Sequence, residues 1–228
     1  MSPSRDAVRQ RILEAAGSEF AERGFENATV RQICHKAGAN GAAVNYYFGD
    51  KQQLYLESVR LASEARIEQI SPPPRDPSTS AEVHLYDHVR TLLERMLGSE
   101  QDPWQVKLLM REVLQPTEAC RELVEQHFRP RFEYLQNLLD SWLPPGMPDY
   151  RRRQVAFSVV GQCVHYRMAG EVIAMLTPEE DRRRYHSLDQ LAFHITTLTL
   201  ASLQHRPIWE LDTQLRELLE ELAEATSS

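Results

Sequence analysis

Apolar residues recur along this chain at the three- and four-residue spacing of amphipathic helices, while the alternating pattern of strands is nearly absent. The opening stripe predicts a helix that Gly24 ends, because glycine readily takes the conformation needed at a helix C-terminus. This stripe consists of Val8, Ile12, Ala16 and Phe20. The spacing predicts an all-α protein.

Three further helices are predicted before residue 70. Thr29 and Gln32 have the spacing of a capping box, and they open a helix that Gly38 ends. Asn40 is a suitable N-cap for a short third helix, and Asp50 is one for a fourth. The inward positions of the second helix are Val30, Ile33, Cys34 and Ala37, and those of the fourth are Leu54, Ser58, Leu61 and Ala65.

Prolines divide the rest of the chain. The four prolines within 71–80 exclude a helix there, so we expect a domain boundary in this loop. One further helix is predicted from a Thr79–Glu82 cap to about Gly98, and another from an Asp102–Pro103 cap to before Pro116. The segment 117–142 is predicted to be helical with a kink near Pro130. The last three predicted helices cover 149–176, 178–205 (behind a capping box at 177–180) and 207–225. The chain is thus predicted to have four parts, 1–50, 51–70, 71–80 and 81–228.

Composition narrows the class of protein. A hydrophobic content of 42% with 26% charged residues is typical of soluble globular chains. No apolar run is long enough for a membrane span, and the first residues lack the apolar segment of a secretory signal. Cys34, Cys120 and Cys163 are far apart, which argues against a disulfide framework or zinc finger. We expect a cytoplasmic protein without a membrane partner.

The net charge of −7 is unevenly distributed. Residues 1–51 contain seven basic and six acidic side chains, whereas the remaining 177 residues contain nineteen and twenty-seven. Local charge at the phosphate surface, rather than total charge, governs DNA binding. The acidic total therefore does not exclude a DNA-binding segment at the N-terminus.

The third predicted helix has the composition of a DNA-reading helix. Val44 and Phe48 are four residues apart and would anchor it to the two preceding helices. The outer face would then carry small residues that let the backbone approach base edges, and Asn45, whose amide suits bidentate pairing with adenine. The alternative for Asn45 is a solvated polar position. We expect DNA contacts from Thr29, Arg31, Asn40, Gly41, Ala42, Asn45, Tyr46, Tyr47 and Lys51.

The run from Ile12 to Lys51 resembles the N-terminal domain of the TetR/AcrR family of repressors. The positions on the family pattern are Phe20, Gly24, Thr29, Ile33, Ala37, Gly38, Tyr46, Phe48 and Lys51. The resemblance implies a homodimer in which a helix-turn-helix domain (1–50) binds double-stranded operator DNA. A connecting helix (51–70) would lead to a domain (81–228) for dimerisation and for a small-molecule effector that releases the DNA. Gly41, Ala42 and Ala43 replace polar residues of many members, which favours indirect readout through DNA shape.

The C-terminal half carries a second resemblance. Residues 108–119 and 161–173 are similar to a subgroup associated with drug sensitivity and efflux control. This similarity predicts a repressor of drug efflux or resistance genes.

Two predicted helices, 149–176 and 178–205, are apolar over more than one stripe. That pattern is typical of helices with one face in the core and another on a partner. A dimer also meets a requirement of DNA, since two recognition helices must lie about 34–36 Å apart to enter successive major grooves. The alternative is that both helices are internal. The expected interface consists of Val155, Val159, Val160, Val164, Leu191, Ile195 and Leu198.

Polar residues embedded in apolar stretches are the candidates for effector binding, because pockets combine apolar walls with a few polar groups. Exposure or a structural hydrogen bond is the alternative for each of them. His84 and His88 have the spacing of a metal pair but no accompanying third ligand, so we expect neither metal nor cofactor. The candidates are His84, His88, Trp104, Arg111, Glu112, His127, Gln162, His165 and Tyr166.

Two other functions are alternatives to DNA binding. Cys163 and His165 are two residues apart on a helix and cannot pair as nucleophile and base, and no catalytic signature occurs, so we expect no enzyme. A helical adaptor that binds protein stays open. Salt dependence separates it from a DNA binder, because phosphate contacts weaken steeply with ionic strength.

Overall fold

A computed structural model describes residues 4–70, 76, 78–97, 104–204, 215 and 217–219 of the chain. Within these residues the regular structure is helical, which confirms the all-α prediction, and no helix there is long and apolar enough to cross a membrane. The elements are α1 (Arg5–Asn27), α2 (Val30–Ala37), α3 (Ala42–Phe48), α4 (Lys51–Gln69), α5 (Ala81–Leu97), α6 (Trp104–Leu114), α7 (Glu118–Leu123), a π-helix named π1 (Val124–Phe128), α8 (Arg129–Leu139), α9 (Asp149–Met168), α10 (Gly170–Leu176), α11 (Glu179–Tyr185) and α12 (Leu188–Gln204).

The chain packs as two compact units. The first unit comprises residues 1–71 and 98–132, and the second unit comprises 72–97 and 133–228. The helices α6, α7 and π1 therefore pack with the N-terminal helices, although they follow the proline loop in sequence. The functional division into four parts stays a prediction.

Most local signals near the N-terminus are confirmed, although α1 resumes after Gly24 and runs to Asn27. Gly24 breaks α1 with a φ of +76°, and Gly38 ends α2 in the left-handed conformation at φ +60°. The Thr29–Gln32 capping box forms in both directions, and the Asp50 carboxylate accepts the Gln53 N–H at 2.8 Å. These caps fix where α2 and α4 begin, and Gly38 fixes where α2 ends and the turn to α3 starts.

The core of the first unit lies between α1, α4 and α6. The Tyr55 ring packs edge-on against Phe20 and Phe25, with centroid separations of 4.9 and 5.1 Å. Trp104 of α6 lies directly on Gly17 of α1, where an added Cβ would stand 2.2 Å from the indole. Only glycine permits this approach, so α6 is closely docked on α1.

A buried carboxylate joins three helices of the first unit. Glu112 of α6 is fully buried and accepts hydrogen bonds from the Tyr55 hydroxyl of α4 and from the N–H and hydroxyl of Thr117, which caps α7. Burial, together with the Glu112 carboxylate, raises the pKa of Tyr55 well above its usual value. The phenol therefore stays protonated and keeps donating to Glu112.

The second unit is built on α5, α9 and α12. Its fully or almost fully buried apolar side chains include Leu85, Val89, Val159 and Ile195. Ion pairs also connect elements of this unit. Arg90 of α5 donates to Asp189 of α12 at 2.7 Å, and Arg152 of α9 pairs with Asp140.

Several predicted boundaries are wrong. The helix expected over 149–176 is interrupted at Ala169, and the helix expected over 178–205 is divided into α11 and α12. Pro178 precedes α11 without a side-chain cap, so the predicted capping box at 177–180 is absent. α5 begins at Ala81, two residues after the predicted Thr79 cap.

Two predictions on the later segments have a clear outcome. The segment expected to be kinked near Pro130 contains π1, directly before α8. α5 is described as far as Leu97, next to its predicted end near Gly98. The Asp102–Pro103 cap, most of the 71–80 loop and most of the 207–225 helix lie outside the described residues.

Candidate nucleic-acid interface

α3 is held by two side chains and exposes the others. Val44 is fully buried and Phe48 is 6% exposed, so both anchor the helix as predicted. Asn40, Gly41, Ala42, Asn45 and Tyr46 are exposed, whereas Tyr47 is half-buried. The helix thus presents a small-residue end and one amide side chain to the outside.

The start of α3 is open to close approach. Its N-cap is Gly41 rather than the predicted Asn40, but the Asn40 side chain still accepts the Ala42 N–H at 3.2 Å. A Cβ added to Gly41 would meet no atom within 4 Å. A ligand such as a DNA backbone or base edge therefore meets no protein atom in front of this position.

The two tyrosines of α3 form an aromatic edge with a basic residue of α1. The rings of Tyr46 and Tyr47 are perpendicular at 4.9 Å, and Tyr46 is 61% exposed. The Arg5 guanidinium lies 5.3 Å from the Tyr46 ring centroid. The sequence interpretation missed Arg5, whose only signal was a basic residue in the first turn of the first helix.

A second basic residue of α1 is already neutralised. Arg9 pairs with Glu57 of α4 and lies 5.0 Å from the Phe48 ring centroid. Arg9 therefore fixes α3 and α4 against α1, whereas Arg5 stays exposed at the edge of the candidate interface.

α2 is bound to α1 through a charged cluster. Glu19 is 7% exposed and accepts from Arg23 at 3.0 Å and from Lys36 at 3.1 Å. Burial by itself raises the pKa of Glu19, but the hydrogen bonds from Lys36 and Arg23 outweigh it and hold that pKa below its usual value. Beside this cluster, Thr29 and Arg31 are exposed on α2, in position for a phosphate or a base.

Lys51 is engaged within the chain. Its ammonium donates to the Glu26 carbonyl at 3.3 Å and lies 4.6 Å from the Phe25 ring centroid. A phosphate contact from Lys51 requires exchange of this bond, or sharing of the remaining N–H donors.

The nine residues predicted to bind an effector do not lie in one unit. Trp104, Arg111, Glu112 and His127 belong to the first unit, and the other five belong to the second. Trp104 and Glu112 have the structural contacts described above, and the Arg111 guanidinium donates to the Glu22 carbonyl at 3.3 Å and packs on Gly24. These three side chains stabilise the first unit. Their contacts within the unit account for their positions, so the predicted role in effector binding is not needed to explain them.

The five candidates of the second unit are also divided. The buried His84 ring lies 3.0 Å from the Asp76 carbonyl, and the His88 ring lies tilted against Tyr134 with a centroid separation of 5.4 Å. On α9, Gln162 donates to the Ser158 carbonyl at 3.2 Å, while His165 is exposed and the Tyr166 ring lies edge-on to His186 at 6.2 Å. The described part of the chain shows no group of three or more potential metal-ligating side chains.

The predicted dimer residues lie mostly on the wrong face. Val155, Val159, Leu191 and Ile195 are at most 9% exposed within their own unit, so they cannot supply a contact surface. Val160 and Val164 are half-buried, and Leu198 is 51% exposed. Large apolar side chains that are exposed instead are Phe157 (59% exposed) and Met168 on α9, with Phe193 (64%) and Leu198 on α12.

Comparison with known proteins covers both parts of the chain. Residues 12–58 match the family of bacterial regulatory proteins described as tetR, and residues 81–203 match the C-terminal domain of the HTH-type transcriptional dual regulator CecR. The CecR regulator of Shigella flexneri is 27% identical over 186 residues, which cover 78% of this chain and 83% of that protein. The repressor AcnR of Corynebacterium efficiens is 41% identical over 63 residues, or 28% of this chain and 34% of AcnR.

Solved structures show the same fold. A TetR-like regulator from Rhodococcus sp. RHA1 aligns with a TM-score of 0.61 at 22% identity, covering 89% of this chain and 98% of the other. AibR, solved in complex with isovaleryl coenzyme A and operator DNA, aligns with a TM-score of 0.62 at 16% identity over 84% of this chain and 97% of AibR.

Proposed function

Because this chain belongs to the TetR family of bacterial regulatory proteins, with a C-terminal domain of the CecR type, we propose that it is a repressor that binds a palindromic operator as a homodimer. The chain is a DNA-binding transcriptional regulator and not an enzyme. In our proposal a small-molecule effector favours a state of the protein that releases the operator. A coupling of about 1–3 kcal/mol between the two ligands would change operator affinity by about 5- to 150-fold.

The single observation that supports operator reading is the exposed face of α3. Gly41 and Ala42 leave room for duplex DNA, Asn45 offers an amide for adenine, and Tyr46 offers a hydroxyl for a phosphate. Few other side-chain donors lie on this helix. We therefore propose that DNA shape contributes to sequence preference along with Asn45.

The homodimer rests on the exposed apolar side chains of α9 and α12. Phe157, Phe193 and Leu198 expose large apolar side chains on neighbouring helices of the second unit. An exposed apolar patch of this kind marks an interaction surface in soluble proteins. A second copy of the same face would bury it and bring two α3 helices to one operator.

The proposed function includes a small-molecule effector and a target gene. AibR was crystallised with isovaleryl coenzyme A and operator DNA, and we propose that this chain likewise responds to a small molecule. Control of a drug efflux or resistance gene rests on the resemblance of 108–119 and 161–173. Transcript levels of the neighbouring genes in a deletion strain test that target directly.

Operator binding is tested by fluorescence anisotropy with fragments from the gene's own upstream region. We expect Asn45→Ala to weaken binding by about 5- to 150-fold, as loss of a bidentate base contact implies. Asn27→Ala, on the exposed end of α1, is the matched control and keeps wild-type affinity. Unchanged binding by both Asn45→Ala and Tyr46→Ala would contradict the assignment of α3, and affinity indifferent to salt would favour the protein adaptor.

A further inference from the structure

A groove between α1 and α2 collects basic side chains of the N-terminal helices. Residues 1–51 contain seven lysines and arginines, and three of them, Arg23, Arg31 and Lys36, line this groove. The acidic residue in the lining is Glu19, whose side chain is 10% exposed. The corresponding exposed fractions of the Arg23 and Lys36 side chains are 49% and 40%. The solvent side of the groove is therefore positively charged, in a chain whose net charge is −7.

Glu19 holds two of these cations in defined positions. One of its carboxylate oxygens accepts the Arg23 Nε–H at 3.0 Å, and the other accepts from the Lys36 ammonium at 3.1 Å. The ammonium also donates to the Ser18 hydroxyl at 2.8 Å. Because two cations share one carboxylate, the cluster keeps a net charge of +1. The bond from Arg23 uses Nε and not the two terminal nitrogens of the guanidinium, which can donate to an anion.

The groove is continuous with residues predicted to contact DNA. Thr29, the N-cap of α2, and Arg31, which is exposed in the first turn of that helix, both line it. The N-terminus of α2 adds partial positive charge at this end of the groove. A DNA strand that contacts Thr29 and Arg31 would therefore meet the groove, and each strand of B-DNA carries a phosphate about every 3.4 Å along the helix axis.

We propose that Arg23 and Lys36 bind backbone phosphates of DNA, next to the position that Thr29 and Arg31 contact, whatever the base sequence. Glu19 is a positioning residue in this arrangement. It orders both cationic side chains before DNA binds, which reduces the conformational entropy lost in the complex. α3 would then read the bases, while the groove provides affinity that is the same for any duplex. The inference rests on the proposed operator binding and adds phosphate contacts that the sequence interpretation did not include.

The salt dependence of DNA affinity tests these phosphate contacts. In fluorescence anisotropy with the full chain, the slope of log affinity against log salt should fall by about 0.9 per protomer in Arg23→Gln and in Lys36→Gln. At 0.15 M salt, a slope of this size corresponds to binding that is about 5-fold weaker per protomer. Arg23→Lys should keep the wild-type slope, because it keeps the charge. A wild-type slope in both glutamine variants would overturn the proposal.

Arg183→Gln is the matched control. Arg183 of α11 also pairs with a glutamate four residues earlier, Glu179, at 3.2 Å, but it belongs to the second unit. This variant should keep the wild-type affinity and slope. If its slope falls as far as that of Arg23→Gln, net charge rather than the groove determines the slope, and the assignment to Arg23 is wrong.

An unrelated duplex separates phosphate contacts from base contacts. Arg23→Gln should weaken binding to the operator and to the unrelated duplex by the same factor, because phosphates carry no sequence information. Asn45→Ala should instead weaken the operator complex more than the unrelated one. A loss in Arg23→Gln that is confined to the operator would contradict a phosphate contact.

Ethylation of single DNA phosphates distinguishes binding from a structural role. Ethylation removes the charge of one phosphate at a time, so at least one phosphate per half-site should matter to the wild type and not to Arg23→Gln. Identical interference patterns would overturn the inference. The melting temperature of Arg23→Gln should stay within about 4 °C of the wild type, because Lys36 still pairs with Glu19 and exposed ion pairs contribute little. A larger fall combined with an unchanged interference pattern would show that Arg23 only stabilises the fold.

The wild type keeps the two proposals apart. A wild type that binds the operator with the same slope as the glutamine variants overturns the groove inference alone. A wild type that binds no DNA at any salt concentration overturns the proposed function.

Discussion

The buried Tyr55–Glu112 hydrogen bond allows a quantitative test of how the first unit is held together. Tyr55 is 3% exposed, and its hydroxyl is one of the few donors available to the fully buried Glu112 carboxylate. Tyr55→Phe keeps the ring contacts with Phe20 and Phe25 and removes that one donor. A hydrogen bond to a charged group contributes about 1.5–3 kcal/mol, and about 2–4 °C of melting temperature corresponds to each kcal/mol in a chain of this size.

We therefore expect Tyr55→Phe to melt about 3–12 °C below the wild type by circular dichroism or calorimetry. Tyr185→Phe is the matched control, because Tyr185 is 50% exposed and its hydroxyl has no hydrogen bond in the described structure. The control should melt within about 1 °C of the wild type. If Tyr55→Phe has the same melting temperature as the control, the buried Glu112 carboxylate does not need the Tyr55 hydroxyl, and the reasoning about it is wrong.

Four further predictions concern pH, DNA and the dimer. The pKa of Tyr55 is higher in the folded protein than its unfolded value near 10. The stability that protonated Tyr55 provides is therefore complete below pH 10 and is lost as the pH rises beyond it. In urea titrations above pH 10, Tyr55→Phe should lose less stability than the wild type does. Gly41→Ala should leave the melting temperature unchanged, because the added Cβ meets no atom within 4 Å, yet weaken operator binding several-fold; equal operator affinity would contradict close approach of DNA. Arg5→Ala should lower the slope of log affinity against log salt by about 0.9, and an unchanged slope would exclude a phosphate contact. In analytical sedimentation, Phe157→Arg should shift the protein from dimer to monomer. If the variant sediments as a dimer like the wild type, the interface lies elsewhere.

The sequence predicts the N-terminal helices well because their signals are local. The Thr29–Gln32 box, Gly38 and Asp50 act within one helical turn of their own position, so no knowledge of packing is needed. The exposure of Asn45 follows from the anchors at Val44 and Phe48 on the same short helix. Resemblance to a family confirms the same segment independently.

The missed features depend on contacts that are distant in sequence. Glu112 looks like a pocket residue until Tyr55, 57 positions away, is found to donate to it. On α9 and α12 the apolar residues cover two faces, and periodicity alone cannot decide which face meets the core of the same chain. The break at Ala169 falls within apolar sequence, where no proline marks it. The break at His186 is followed by an N-cap that the sequence interpretation missed, since the Ser187 hydroxyl accepts the Gln190 N–H at 3.3 Å at the start of α12.

The packing of α6 on α1 has a practical consequence for chimeric sensors made from this protein. A fusion cut after residue 70 separates Gly17 from the indole that covers it and Tyr55 from its acceptor on α6. The transplanted DNA-binding domain would expose the apolar surface that α6 covers in the intact protein. It would therefore aggregate or bind other proteins. A graft that carries residues 98–132 along with 1–71 keeps those surfaces covered, so the unit of exchange in this protein is discontinuous in sequence.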